Sequence, residues 1–369
     1  MTHRERFNKL FSFQQIDRMP VYFFGTWSET RMRWANEGFS GKVVPHGDYG
    51  PQLDGMDPEW EPGLWNEHGI VQVGPIGDQQ QAVLEDLGNG TKVVRSSLGK
   101  IERIRTDGTS IPTTLQYPLE PTRRSWNHFM KFFDTKYNER YSPDWETIAD
   151  TRNTQDIVTC FLGGSFYGWL RDYMGVTNLS YLQYDDPDLL EEMIETIADH
   201  MIRLTEPMLN RMKFDFAYFF EDCCGSNGPL FSPKIYREIF DRHYQRLIRF
   251  YKDHGVPLTL IDSDGYVDPL IPCWLESGFD ILFPIEVGKW GANPSDIRRK
   301  YGNHVCMMGG VNKHLIASDE SKLREHLLSQ KPETDRGGFL PIPDHRIPPE
   351  VSYHQMQRYI QIFNEVFNA

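Results

Sequence analysis

From about residue 155 onward the chain alternates short apolar runs with longer stretches of helical periodicity. Few architectures accept that rhythm. Each strand must be followed by a helix that carries the chain back, and the repeat builds a parallel sheet from βα units. The runs are 157–162 (IVTCFL), 216–220 (FAYFF), 257–261 (PLTLI), 279–283 (FDILF), 305–308 (VCMM) and 339–342 (FLPI), the last weakened as a strand by Pro341. Two earlier runs, 21–24 (VYFF) and 70–73 (IVQV), bring the candidates to eight, as many as a closed (β/α)8 TIM barrel needs.

Helical segments lie between the later runs. Residues 187–208 carry apolar positions at helical spacing after an Asp-Pro start. Residues 232–254 open with Ser-Pro and stop at Gly255, and 293–301 stop at Gly302. Residues 318–329 begin at a capping serine with acids in the first turn, and 351–367 close the chain. The first residues, MTHRERFNKLFSF, form an amphipathic charged helix with no apolar stretch of the signal-peptide kind. Residues 82–121 break the pattern: Asn-Gly and Asp-Gly turns separate alternating β-type residues, which reads as one or two antiparallel hairpins inserted between barrel elements, over the barrel mouth. A barrel of 369 residues with such an insertion is one domain, 1–369.

Composition excludes several classes of function. A net charge of −13 argues against sequence-independent nucleic-acid binding and against docking on anionic membranes. No stretch approaches the roughly 18 uncharged apolar residues of a membrane span. The five cysteines, without framework spacing, read as reduced thiols of a cytoplasmic protein.

In a parallel barrel the chemistry collects where the strands end. FAYFF leads into Glu221-Asp222-Cys223-Cys224, PLTLI into Asp262-Ser263-Asp264-Gly265, and FDILF into Pro284-Ile285-Glu286. VCMM leads into Gly309-Gly310-Val311-Asn312, and FLPI into Pro343-Asp344-His345-Arg346. Converging carboxylates repel, and burying them is costly unless a cation or a proton offsets the charge. Two solutions follow: a metal held by carboxylates and an imidazole, or carboxyls that keep their protons and act as general acids. Asp262, Asp264 and His345 are the candidate metal ligands; Glu221, Asp222 and Glu286 are the candidate acids and bases; Trp27, Phe166, Tyr167 and Asn312 are the candidate pocket residues. Each has a plainer reading as well: an Asx turn for the Asp-Ser-Asp-Gly segment, core aromatics for Phe166 and Tyr167, small buried residues for the adjacent cysteines.

Several segments together resemble the uroporphyrinogen decarboxylase-like superfamily, which includes cobalamin-linked methyltransferases: RERFNKLFSFQQIDRMPV, GGSFYGWLRDYMGVTNLSYLQYDDPDLL, EDCCGSNGPLFSPKIYREIF, DSDGYVDPLIPCWLESGFDILFPIEV, RKYGNHVCMMGGVNK and GGFLPIPDHRIPPEVSY. The resemblance spans nearly the whole chain and implies a TIM barrel. It departs from true uroporphyrinogen decarboxylases where they carry an R-Q-A-G-R type segment for substrate carboxylates; here the region reads GTWSETRMRWANEG, a poor host for a polyanionic tetrapyrrole. It departs from thiol-methylating members too, because the positions of their His-x-Cys and late Cys zinc ligands fall on Asp262, Asp264 and His345. The resemblance therefore implies methyl transfer from a small methylated substrate to a corrinoid (cobalamin) cofactor on a partner protein, with zinc as the expected metal and a homodimer expected by analogy. The alternatives are a metal-independent decarboxylase or lyase acting on a small carboxylated substrate, and a non-catalytic ligand-binding barrel.

Overall fold

The computed structural model describes residues 1–23, 25–40, 53–57, 70–108, 111–288 and 290–369. Among these, six parallel strands form one sheet: β5 (Cys160–Gly164), β6 (Phe216–Phe220), β7 (Leu258–Asp262), β8 (Ile281–Ile285), β9 (Cys306–Val311) and β10 (Phe339–Pro343), in the spatial order β10-β9-β8-β7-β6-β5. Neighbours in sequence are neighbours in space, the order of a singly wound α/β barrel. Each is the strand expected from its apolar run, displaced by at most three residues. Pro341 and Pro343 are tolerated because β10 is the terminal strand of the hydrogen-bonded sheet, where a missing N–H breaks no ladder.

The remaining two runs do not become ladder strands. Residues 21–23 are buried, and Phe24 lies outside the described residues. The segment that follows them reaches the sheet beyond β10 through a single parallel bridge, Thr26 with Ile347. The run 70–73 makes one antiparallel bridge, Val71 with Tyr141. The cause is a competing set of donors. Arg140 gives Nη1 to the carbonyls of Gln72 and Gly74 and Nη2 to those of Phe132 and Phe133, while His200 Nε2 contacts the carbonyl of Val73 at 2.8 Å. Side chains thus satisfy the carbonyls that a neighbouring strand would otherwise use.

Pleating sorts the side chains. Cys160, Phe216, Tyr218, Leu258, Leu260, Ile281, Phe283, Cys306, Met308, Leu340 and Ile342 pack in one cluster. The intervening Phe161, Ala217, Phe219, Ile261, Leu282, Met307 and Phe339 pack in another, with the long crossover helix.

Helix boundaries follow the capping chemistry. α1 (His3–Phe11) has a complete capping box from Thr2 and Glu5, and α2 (Ser28–Asn36) follows the first barrel segment. α3 (Tyr167–Met174) starts immediately after β5, and α4 (Pro187–Leu209) is capped by Asp186. The helix expected over 232–254 begins at the Ser232 cap but passes through a wide turn, Tyr236–Phe240, before α5 (Asp241–Asp253). α6 (Ile271–Ser277), α7 (Pro294–Tyr301), α8 (Glu320–Asp335) and α9 (Tyr353–Phe367) complete the crossovers. α8 starts after Asp319 rather than Ser318, with no side-chain capping bond from Asp319, and runs six residues beyond the expected end. The inserted region is a four-stranded antiparallel meander: β1 (Ala82–Gly88), β2 (Thr91–Arg95), β3 (Ile101–Arg105) and β4 (Thr113–Gln116). The first turn is the expected Asn89-Gly90, with both residues at positive φ. Among the described residues no helix is long and apolar enough to cross a membrane.

Candidate functional site

The site follows from register. Phe216, Tyr218 and Phe220 on β6 stand beside Leu258, Leu260 and Asp262 on β7. Asp262 therefore continues an inward-facing apolar row at its upper end, where the Tyr218 hydroxyl, one step below on the adjacent strand, donates to its Oδ2. The side chain is 4% exposed. Burial, then the neighbouring Asp264 and Asp222 carboxylates, push its pKa well above the ordinary carboxyl range, against the pull of the tyrosine and of Arg346. The surroundings of Asp262 thus favour the protonated carboxyl over the carboxylate.

The next turn aims two more carboxyls at the same place. Asp264 Oδ2 meets His345 Nε2 at 3.1 Å, linking the end of β7 to the loop after β10. Glu286, one residue past β8, is buried and accepts the Gly265 N–H at 2.7 Å. Burial first, then Asp264, raise its pKa, while His345 and Lys313 oppose the rise. Gly265 is required here: its φ is +89°, and a Cβ would lie 2.7 Å from the Gly225 carbonyl oxygen and 2.9 Å from that of Cys224. His345 stacks on Trp27 with ring centroids 5.8 Å apart, and the Arg346 guanidinium lies 5.1 Å from the centroid of the same indole. Backbone pairing of Gly25 and Trp27 with Ile347 holds these residues together.

Not every residue expected at the site is there. Glu221 is buried and faces α3: its Oε1 accepts the Phe166 N–H (2.8 Å) and its Oε2 those of Tyr167 (2.7 Å) and Gly168 (3.1 Å). It caps that helix, and burial pushes its pKa up to about 7 against those donors. Gly168 permits the approach, since a Cβ there would meet the Ser165 hydroxyl at 2.5 Å and the Phe220 carbonyl at 2.7 Å. Phe166 packs against Tyr244, and Tyr167 against Phe231, both fully within the outer core rather than a pocket. Asn312 uses its side-chain oxygen to cap the turn at His314. Asp222 is at φ +43°, held by Arg171, whose Nη1 donates to its carbonyl (2.6 Å) and to its Oδ2 (2.5 Å). The cysteines are all buried free thiols, Cys223 and Cys224 included.

Among the described residues no group of three or more His, Cys, Asp and Glu side chains converges to hold one ion. Asp264 and His345 meet, while Asp262 Oδ2 accepts from the Tyr218 hydroxyl. Among the described residues Asp264 and His345 alone fall short of the ligand number a zinc ion takes.

Sequence reasoning missed Tyr218, Arg346 and Lys313. Tyr218 had a readable signal, the inward alternation of FAYFF. Arg346 follows His345 directly, and its role depends on the Trp27 stack that only the fold supplies.

The family model described as uroporphyrinogen decarboxylase (URO-D) matches residues 151–366. A solved structure, a methyltransferase from Methanosarcina mazei, shares the fold with a TM-score of 0.58 at 12% identity, over 99% of each chain. No curated protein matches the sequence.

Proposed function

The chain belongs to the uroporphyrinogen decarboxylase family, and from that premise we propose that it is a methyltransferase whose barrel-mouth carboxyls supply the proton for cleaving a methyl–heteroatom bond. The observation that carries the reading is Asp262, a buried carboxyl at the end of an inward-facing row whose surroundings favour its protonated form, beside the Asp264–His345 pair. A methyl group bound to oxygen or nitrogen leaves poorly, because the heteroatom must accept the bonding electrons. A proton delivered as that bond breaks turns it into a neutral leaving group, a contribution of roughly 10²–10⁴ in rate. Asp262 gives the proton, the heteroatom keeps the electron pair, and the methyl group passes to an acceptor. The resulting Asp262 carboxylate is stabilised by Arg346 and Tyr218, and His345, paired with Asp264, is placed to return the proton from solvent.

The methyl acceptor is treated as a co-substrate, and the resemblance to cobalamin-linked enzymes makes a corrinoid protein the candidate. No step is assigned to zinc. A second reading rests on the same proton: in a decarboxylase, Asp262 would protonate the carbanion left when carbon dioxide departs. One experiment separates the two. The purified protein, with and without EDTA, is given small methyl ethers and methylamines with free cob(I)alamin, and methylcobalamin is followed by absorbance; parallel carboxylated substrates are followed for carbon dioxide. Methylcobalamin formation that survives EDTA and is lost in Asp262→Asn supports the proposal. Carbon dioxide release without methyl transfer replaces it with the second reading. Activity abolished by EDTA and restored by zinc overturns the Brønsted role.

A further inference from the structure

The end of β10 carries a carboxyl that the proposed reaction has not yet used. On this strand Leu340 and Ile342 face the inner cluster, and Asp344 takes the next place in that row, as Asp262 does above Leu258 and Leu260 on β7. Asp344 is buried, and its main-chain N–H donates to the Val311 carbonyl at 2.7 Å, carrying the β9–β10 pairing one step beyond Pro343. Both side-chain oxygens are taken by backbone: Oδ2 accepts the Gly288 N–H at 2.8 Å and Oδ1 the Lys313 N–H at 3.1 Å. Gly288 lies two residues after Glu286 in the loop that follows β8, and Lys313 opens the turn that follows β9. The ends of β8 and β9 come close enough for one carboxyl to hold both because of Gly309, where, at φ +121°, a Cβ would lie 2.4 Å from the Ile285 nitrogen. Asp344 thus fastens together the loops that follow three consecutive strands. On the far side of His345 and Arg346 a second anchor holds the same loop. The Ile347 N–H donates to the Gly25 carbonyl at 2.9 Å, and its carbonyl accepts the Trp27 N–H at 3.3 Å and the Thr30 hydroxyl at 2.8 Å.

We propose that Asp344 is a positioning residue of the barrel mouth: by holding Gly288 and Lys313 it sets His345 opposite Asp264, the pair through which the acid regains its proton. The bonds close into a ring. Gly265, next to Asp264, donates to Glu286; Gly288, just after Glu286, donates to Asp344; and His345, next to Asp344, meets Asp264. Each link is one hydrogen bond joined to the next by a few residues of chain, so the separation of His345 and Asp264 is fixed by the other links. Without Asp344 the loop keeps only its Ile347 anchor, which holds His345 to the Trp27 side and leaves the Asp264 side open. Asp344 acts through the loops and not on a substrate, since both its oxygens face main-chain donors. The methyl-transfer reading supplies only what the His345–Asp264 pair does; the positioning stands on the bonds alone.

Positioning is measured without turnover, through the rate at which diethylpyrocarbonate modifies the His345 ring in the full-length protein at pH 8. Peptide mass spectrometry reads it, with the exposed His128 as internal reference. In the wild type the ring is 16% exposed and held between Trp27 and Asp264. Asp344→Asn keeps the size of the side chain but turns an amide NH₂ toward one of the two N–H donors, and should speed His345 modification about fivefold or more relative to His128. Asp264→Ala, which removes the partner directly, should do the same. The double variant should be no more than about twofold faster than Asp264→Ala, because both substitutions undo one arrangement. Should Asp344→Asn fail to fold, the wild type still decides: the Gly288 and Lys313 amides, held by one carboxyl, should have hydrogen-exchange protection factors within about fivefold of each other. Unchanged His345 reactivity in Asp344→Asn, multiplying effects in the double variant, or protection factors further apart than that overturns the proposal. Methyl transfer in Asp344→Asn should fall by roughly tenfold to a hundredfold, and an undiminished rate beside a released His345 overturns the proposal too. A released His345 in a protein whose wild type transfers no methyl group retains the positioning role and discards the activity.

Discussion

Asp262→Asn tests the central element of the mechanism through stability as well as rate. In the unfolded chain this carboxyl ionises around its ordinary value of 3.8; in the folded protein burial and the Asp264 and Asp222 carboxylates hold the proton on. Above 3.8 the folded state therefore binds one more proton at this site than the unfolded state. Its contribution is fully present below that value and is lost as pH rises towards the folded pKa, at about 1.4 kcal/mol per pH unit. Asparagine has nearly the same shape, offers an oxygen to the Tyr218 hydroxyl and has no proton to lose. The difference in unfolding free energy between wild type and variant, followed from about pH 4.5 upward, should thus shift in favour of the variant, by up to about 1.4 kcal/mol per unit for as long as the folded carboxyl stays protonated. Taking the difference cancels the titration of most other groups. Urea unfolding at half-unit intervals measures it, and methyl transfer should fall by roughly 10²–10⁴ in the same variant. Parallel stability curves over this range would mean that Asp262 ionises in the folded protein as it does in the unfolded chain, and the general-acid argument would fail.

Other substitutions probe the supports of the site. At pH 8, Glu221→Gln turns a donor toward amides that need an acceptor; with a cost of roughly 1–3 kcal/mol for each unsatisfied buried group, the loss should be about 3 kcal/mol by urea unfolding, and one below about 1 kcal/mol would refute the capping role. Gly265→Ala places a Cβ 2.7 Å from a carbonyl oxygen at φ +89°, which should cost at least about 2 kcal/mol and lower activity by displacing the Gly265–Glu286 bond; unchanged melting and rate would contradict the geometry. Arg171→Met frees the Asp222 carboxylate to act more strongly on Asp262. The descending limb of the pH–rate profile should then move to higher pH, since the acid must be protonated to work, and a limb that stays in place would show that Asp222 is not coupled to Asp262.

Which parts of this molecule could be read from its sequence follows from the range of the interactions involved. Six apolar runs became strands because the βα alternation is a local pattern, and the carboxyls after those runs reached the mouth because strand ends do so in any such barrel. The runs at 21–24 and 70–73 have the same composition but not the same fate. The carbonyls at 72–74 are claimed by Arg140 and His200, which lie far along the chain, and no local signal announces that. Glu221 illustrates a subtler limit. It is a candidate acid or base by its position at a strand end, which Asp262 shares, yet the two carboxyls face different ways. The difference lies in direction: Asp262 continues the row Leu258–Leu260 into the barrel, whereas Glu221 lies one residue past the inward-facing Phe220 and turns outward to the first turn of α3.

That difference in direction also suits one carboxyl, and not the other, to the proposed acid role. Both are buried and both have raised pKa values. Glu221 spends both oxygens on backbone amides that vanish if it moves, so any proton it carries is fixed within the wall of the barrel. Among the described residues Asp262 has a single side-chain donor, Tyr218, and stands beside Asp264, whose side chain is 38% exposed and contacts His345. A proton leaving Asp262 can thus be replaced through a pair that touches water, which a catalytic acid needs in every cycle and a helix cap never does. On the proposed reading the acid is the carboxyl with a route to solvent, through the loop residues 264 and 345, beside the stack on Trp27.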